Sequence, residues 1–174
     1  MTWRTHLVIG ANSLWFINLS QSSIDQIAIL IPAALIASLL PDLDATSAKI
    51  HYVAGGAFGG FRGIFEHRGI FHSIFATLII FALLFSINFF ALHNAYPLLP
   101  FIFTLSYLSH PVIDGLNAGV GYLYPFKKRK YALLPQSLLS PVKGSMDNLL
   151  FFIGAFGVML FLVLYMNTLR LDYL

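Results

Sequence analysis

Glu66-His67-Arg68-Gly69-Ile70-Phe71-His72-Ser73 sets a carboxylate, two imidazoles and a guanidinium at the mouth of a segment that then runs apolar to Leu92, with Ser86 and Asn88 nearly its only polar residues. A run of this length is long enough to cross a bilayer as a helix, at roughly 1.5 Å per residue through a core of about 30 Å. Ionisable groups beside such a segment are costly in lipid. They face the protein interior or a watery cavity, and a functional site is the default reading for them.

The rest of the chain fits a membrane setting. Of its 174 residues 58% are hydrophobic and only 10% charged, and the mean hydropathy is +0.80. These values describe an all-helical integral membrane bundle rather than a water-soluble globule. With no cysteine, disulfides, thiolate metal sites and cysteine nucleophiles are excluded, so any metal must rest on histidine and carboxylate. Nothing resembles a nucleic-acid-binding stripe. The basic run Lys127-Lys128-Arg129-Lys130 suits an anionic membrane surface instead.

Working outward from the 66–73 stretch, apolar periods predict about five spans in one polytopic domain covering residues 1–174: residues 6–19, 24–40, 70–92, 95–116 and 148–168. The first run has no small-x-small cleavage signal after it and is expected to be retained. The segment 55–63 is glycine-rich but lacks the Gly-Lys-Ser/Thr ending of a phosphate loop; its glycines permit either a lid or close helix packing. Threading five spans puts Arg4, Lys49, Arg62, Arg68, Lys127, Lys128, Arg129, Lys130 and Lys143 on one face and only Arg170 on the other. That asymmetry assigns the loaded face, with its polar site, to the cytoplasm.

The same face collects the chemistry-bearing residues. His110 and Asp114 are four apart, so a continued helix projects both from one side about 5 to 6 Å apart, although Pro111 disturbs the preceding turn. Pro41-Asp42-Leu43-Asp44 ends the second span with two carboxylates, and the proline favours an extended backbone that would turn both to one face. His67 and His72 would point about 140° apart on an unbroken helix; they converge only if the chain bends at Gly69. His6 enters from the first span. Each residue alone can be a hydrogen-bonded structural group or a solvated helix end. Together, five separate stretches deliver imidazole and carboxylate to one membrane face, a donor set that suits one or two divalent ions, Zn foremost, with Mn or Fe as alternatives. Arg68 is placed to clamp an anionic group. His51, Glu66 and Asp147 are further candidates, and His93 reads as an ordinary loop residue.

Thr5-His6, Leu40-Pro41-Asp42-Leu43-Asp44, His67-Arg68-Gly69-Ile70-Phe71-His72-Ser73, Ser109-His110-Pro111-Val112-Ile113-Asp114 and Tyr124-Pro125-Phe126 together resemble the bacterial inner-membrane family typified by YdjM, described as membrane-bound metal-dependent hydrolases. The resemblance implies a bacterial inner-membrane hydrolase with metal on His6, Asp42, His67, His72, His110 and Asp114. The His-x-x-x-Asp element is also similar to zinc-dependent phospholipases C and nucleases, but the amino-terminal tryptophan and second His-x-x-x-Glu/Asp pair of that group are missing. The expected activity is hydrolysis of an ester or phosphoester of a lipid-like substrate by metal-activated water. Asp44, Glu66 and Arg68 are the expected catalytic groups, with Arg68, Lys127 and Lys128 on the substrate's anion. A transporter or metal- or proton-binding module built on the same cluster is the alternative, and interhelical glue a third.

Overall fold

The computed structural model describes residues 1–17, 24–45, 66–135 and 143–172, and these are helical throughout apart from turns and one isolated antiparallel bridge, Val120 with Tyr131. His51, the 55–63 glycine segment, Lys49, Arg62 and Pro141 lie outside the described residues. The helices are α1 (Trp3–Ala11), α2 (Ile24–Leu39), α3 (Ile74–Ser86), α4 (Leu99–Asn117) and α5 (Lys143–Asp172). Among the described residues three stretches are long and apolar enough to cross a membrane: Ile24–Asp44, Ile74–Ala91 and Ser145–Asn167. Helix α1 has 9 residues before tightening into a 3-10 turn at Asn12–Phe16, and α4 carries a more polar sequence.

Element ends follow local chemistry. The apolar run beginning at Ile70 opens with a 3-10 turn, Ile70–His72, and α3 starts only at Ile74 because the Ser73 hydroxyl caps it, accepting from the Ala76 amide at 3.1 Å. At the far end α3 loosens into a π-turn, Ile87–Ala91, where the Asn88 side chain accepts from the Tyr96 amide. Helix α4 continues through Pro111, so His110 and Asp114 do share one side. At the end of α2 the expectation of extended backbone is corrected: Leu40–Asp44 is a 3-10 turn with Pro41 in its first positions. At three residues per turn, positions two apart diverge. The nearest imidazole contact of Asp42 is His110 and that of Asp44 is His67, and both carboxylates still come within reach of His67.

The helices alternate in direction about one polar end. Helix α1 starts there with His6, α2 ends there with Asp42 and Asp44, α3 leaves it just after His72, and α4 returns to it with His110 and Asp114. Helix α5 starts there too: Asp147 accepts from the Thr2 amide and the Thr5 hydroxyl at 3.0 and 2.9 Å. The opposite half of the bundle is closed by an apolar core of Leu14, Ile17, Ile27, Leu30, Ala34, Ile102 and Phe161. Outward faces are apolar as well. Leu78, Ile79 and Leu83 on α3, and Phe152, Phe156 and Leu162 on α5, are exposed, as expected where lipid replaces water.

Small residues let α1, α2 and α4 approach closely. A Cβ on Gly10 would collide with Ser38 of α2 and Ser106 of α4, and the Ser106 hydroxyl donates to the Ala34 carbonyl. On the other side, Gly154 and Gly157 of α5 admit Val8 and Asn12, and the Asn12 amide donates to the Gly154 carbonyl at 3.0 Å. Such seams drive helix association in lipid, where apolar burial supplies little. Gly10→Val is expected to lower stability by about 1–3 kcal/mol through overpacking, read as a lower melting midpoint in detergent. Ile153→Val, on the lipid face of α5, should leave that midpoint in place.

Candidate metal centre

The Gly10 seam lies one helical turn from the site. His6 is four residues before Gly10 and His110 four residues after Ser106, so the contact that brings the backbones together also stacks the two imidazoles, with centroids 3.7 Å apart and planes within 9°. His110 Nδ1 lies 2.6 Å from the Ser38 carbonyl oxygen. A carbonyl only accepts, so Nδ1 carries the proton and the lone pair is on Nε2. Ser38 sits in the last turn of α2, where carbonyls lack an intrahelical donor. This is how metal-ligating histidines are commonly oriented.

A bend completes the centre. Arg68 adopts a positive φ of 61°, and at Gly69 a side chain would run into the Glu66 carbonyl. The chain therefore turns back between the two histidines, whose rings come within 5.7 Å of each other. The condition for His67 and His72 to converge is thus met by a strained residue followed by a glycine. His67 Nδ1 lies 2.9 Å from Asp44 Oδ1, and His72 Nδ1 lies 3.6 Å from Asp44 Oδ2. Asp42 Oδ1 lies 3.4 Å from His110 Nε2. Asp114 meets His6 Nε2 at 3.3 Å, the Arg68 Nε at 2.7 Å and the Met1 amino group at 3.0 Å.

Donor atoms fall into three groups of mutual spacing within 4.8 Å: His6 with His110 and Asp114; Asp42 with His72 and His110; Asp42 with Asp44 and His67. His6, Asp44, His72, His110 and Asp114 are essentially shut off from solvent. Yet His6 Nδ1, Asp44 Oδ2, both nitrogens of His72 and His110 Nε2 have no hydrogen-bond partner among the described residues. Leaving a buried polar atom unmatched costs roughly 1–3 kcal/mol, and cations bound among these side chains would relieve part of that cost. Imidazole and carboxylate without sulfur fit a zinc-, manganese- or iron-type ion. The residues present therefore fit a divalent metal.

The family described as YdjM inner membrane protein matches residues 1–171. The chain belongs to this family. No curated protein and no solved structure matches it significantly. Membership places the chain in an inner membrane, in keeping with its three membrane-capable helices.

All six residues expected to hold metal, and Asp44, meet in the cluster. Other expected residues lie around it. Arg68 reaches Asp114 with its Nε and is partly exposed. Glu66 does not enter the cluster: it is exposed and paired with Lys130 at 2.8 Å, which holds its carboxyl below the usual value. Lys127 and Lys128 are exposed, and it is Lys130 that reaches inward, donating to the His67 carbonyl at 2.9 Å. Asp147 fastens α5 to α1, and His93 lies in the far turn with a positive φ of 49°.

The loop after α4 is stitched onto the bend, and this was not legible in the sequence. The Gly121 amide donates to the Arg68 carbonyl at 2.8 Å, the Ile74 amide donates to the Tyr122 carbonyl at 3.0 Å, and the Val120–Tyr131 bridge sets Lys130 over His67. Tyr122 donates to the Pro111 carbonyl at 2.9 Å; burial, and after it the Asp114 carboxylate, pushes its hydroxyl up to about 12, so it remains a donor. Only the basic run hinted at Lys130, and nothing marked the Ser38 carbonyl or Tyr122.

Detergent-purified protein dialysed against zinc is expected to retain at least one equivalent by elemental analysis, and His110→Ala or His72→Ala to lose it. Asp44→Asn should weaken affinity by about 10–100-fold, as for other carboxylates that orient a ligating histidine. Equal metal retention by wild type and His110→Ala would remove the centre.

Proposed function

We propose that the chain is a membrane-bound metal-dependent hydrolase that cleaves an ester or phosphoester of a lipid-like substrate at the cytoplasmic face. The observation that carries this reading is the set of five buried side-chain atoms without a hydrogen-bond partner, four of them imidazole nitrogens, in a cluster of seven histidines and aspartates. His6, His110 and Asp114 would hold one ion, and Asp42, common to the other two groups, is placed to serve a second. A cation there supplies Lewis-acid charge stabilisation and water activation.

The chain's own residues account for the remaining requirements. Arg68, with its guanidinium partly exposed at the mouth, and Lys130 beside it offer positive charge to a phosphoryl or carboxyl oxygen. Asp44 Oδ2 is buried and unpartnered while Oδ1 is held by His67, so Asp44 is the group to accept a proton from attacking water. Water adds to the phosphorus or acyl carbon, one of its protons passes to Asp44, and the bond to the leaving oxygen breaks as that oxygen takes up the proton from Asp44, which regenerates the carboxylate. A transport path is less well supported. Polar residues gather at one end, and the opposite half is filled by the apolar core around Leu30, Ile102 and Phe161.

At saturating metal, Asp44→Asn is expected to lower turnover of lipid phosphoesters by about 10²–10⁴-fold, the usual worth of a general base. Arg68→Ala should keep the metal and raise KM by about 10–100-fold, as for a lost charged hydrogen bond. Hydrolysis that survives thorough chelation, or persists in His110→Ala, defeats the proposal. The cytoplasmic placement rests on the positive-inside asymmetry. A single cysteine at position 128 of this cysteine-free chain should resist impermeant maleimide in spheroplasts and react after permeabilisation; reaction in intact spheroplasts would reverse the orientation.

A further inference from the structure

Beside the cluster, on the lipid side of α3 and α4, runs an apolar groove of about 480 Å³ walled by Ile70, Phe71, Phe75, Ile79, Tyr107 and Phe126. Its volume is in the range of small-molecule sites. Its head is built from the 3-10 turn that carries His72: Ile70 and Phe71 are groove walls, and the buried Tyr107 donates its hydroxyl to the Phe71 carbonyl. From Phe75 to Ile80 the wall follows α3 for about 7.5 Å at the helical rise, about half of one leaflet of a core about 30 Å thick.

Charge divides the groove in the same sense. The lining is apolar, whereas the rim is cationic. Phe126, 77% exposed, packs on Phe75 with centroids 4.7 Å apart and leads directly into Lys127-Lys128-Arg129-Lys130, whose Lys130 sits on the His67 carbonyl. Helix α5, whose outer face carries Phe152 and Phe156, contributes none of the cluster's donors. An occupant must therefore be apolar along its length and anionic at the end nearest His72.

We propose that this groove seats one hydrocarbon chain of an anionic lipid whose head group reaches the His and Asp cluster, making the protein selective for chain length. The reaction arm rests on the hydrolase reading; the binding arm does not. In mixed micelles, the ratio of kcat/KM for hexadecyl phosphate to that for butyl phosphate should fall at least tenfold in Ala76→Trp and in Ile79→Trp, both of which fill the groove. Ile153→Trp, on the outer face of α5, should leave the ratio unchanged. An unaltered ratio in both groove variants overturns the proposal.

Hexadecyl phosphate carrying a mid-chain diazirine supplies the second readout, mapped by mass spectrometry of peptides after photolysis. Labelling should concentrate in residues 70–80, be displaced by hexadecyl phosphate but not by hexadecanol or inorganic phosphate, and fall at least tenfold in Ala76→Trp. Site-specific labelling without hydrolysis of any phosphoester would support the groove while removing the hydrolase reading. Equal labelling of residues 70–80 and 150–160 without competition marks bulk lipid, and displacement by inorganic phosphate alone marks a site for the free anion; either result overturns the proposal.

Discussion

Three aspartates and four histidines drawn to one end of a lipid-facing bundle pose an electrostatic problem that the rest of the structure is arranged around. Taking charges out of water costs several kcal/mol per ion even after relaxation. Asp114 has compensation from Arg68 and the Met1 amino group. The ionisable partners of Asp42 and Asp44 are imidazoles, at 3.4 Å and at 2.9 and 3.6 Å. Divalent cations bound among the donors would offset this imbalance, whereas hydrogen bonding within the cluster leaves five atoms unsatisfied. Holding the donors in place before an ion arrives falls to the small-residue seam at Gly10, the capped start of α3 and the 3-10 turn at Pro41.

The residue types of the centre were legible because an apolar chain has few reasons to carry histidine and aspartate. His6, Asp42, His67, His72, His110 and Asp114 stood out against 58% hydrophobic residues, and the His110–Asp114 spacing survived Pro111. What sequence could not supply were contacts between distant segments. The Pro41 segment reads as extended by local preference, yet forms a 3-10 turn, and the two carboxylates make their closest contacts with different histidines. Four consecutive basic residues look equivalent on paper; the Val120–Tyr131 bridge selects Lys130. The apolar runs located the long helices, while Ser73 fixed the start of α3 by a hydrogen bond that hydropathy does not register.

An apolar core occupies the half of the bundle away from the polar centre. Leu14, Ile27, Leu30, Ile102 and Phe161 fill the far half, so the polar end can tolerate a positive-φ arginine and unmatched donors without unravelling the helices. Strain of this type costs about 1–3 kcal/mol and persists only where surroundings enforce it. Here the enforcement comes from the loop after α4, which holds the bend by way of the Arg68 carbonyl and the Ile74 amide.

The order of the ligands along the chain has a consequence for biosynthesis. His6 emerges from the ribosome first and Asp114 last, so the donor set is complete when about two thirds of the polypeptide exists. Helix α5, made last, contributes none of the seven donors; its Asp147 grips Thr2 and Thr5 beside His6. Every donor is thus synthesised before the final helix, which adds a clasp beside His6 and no ligand.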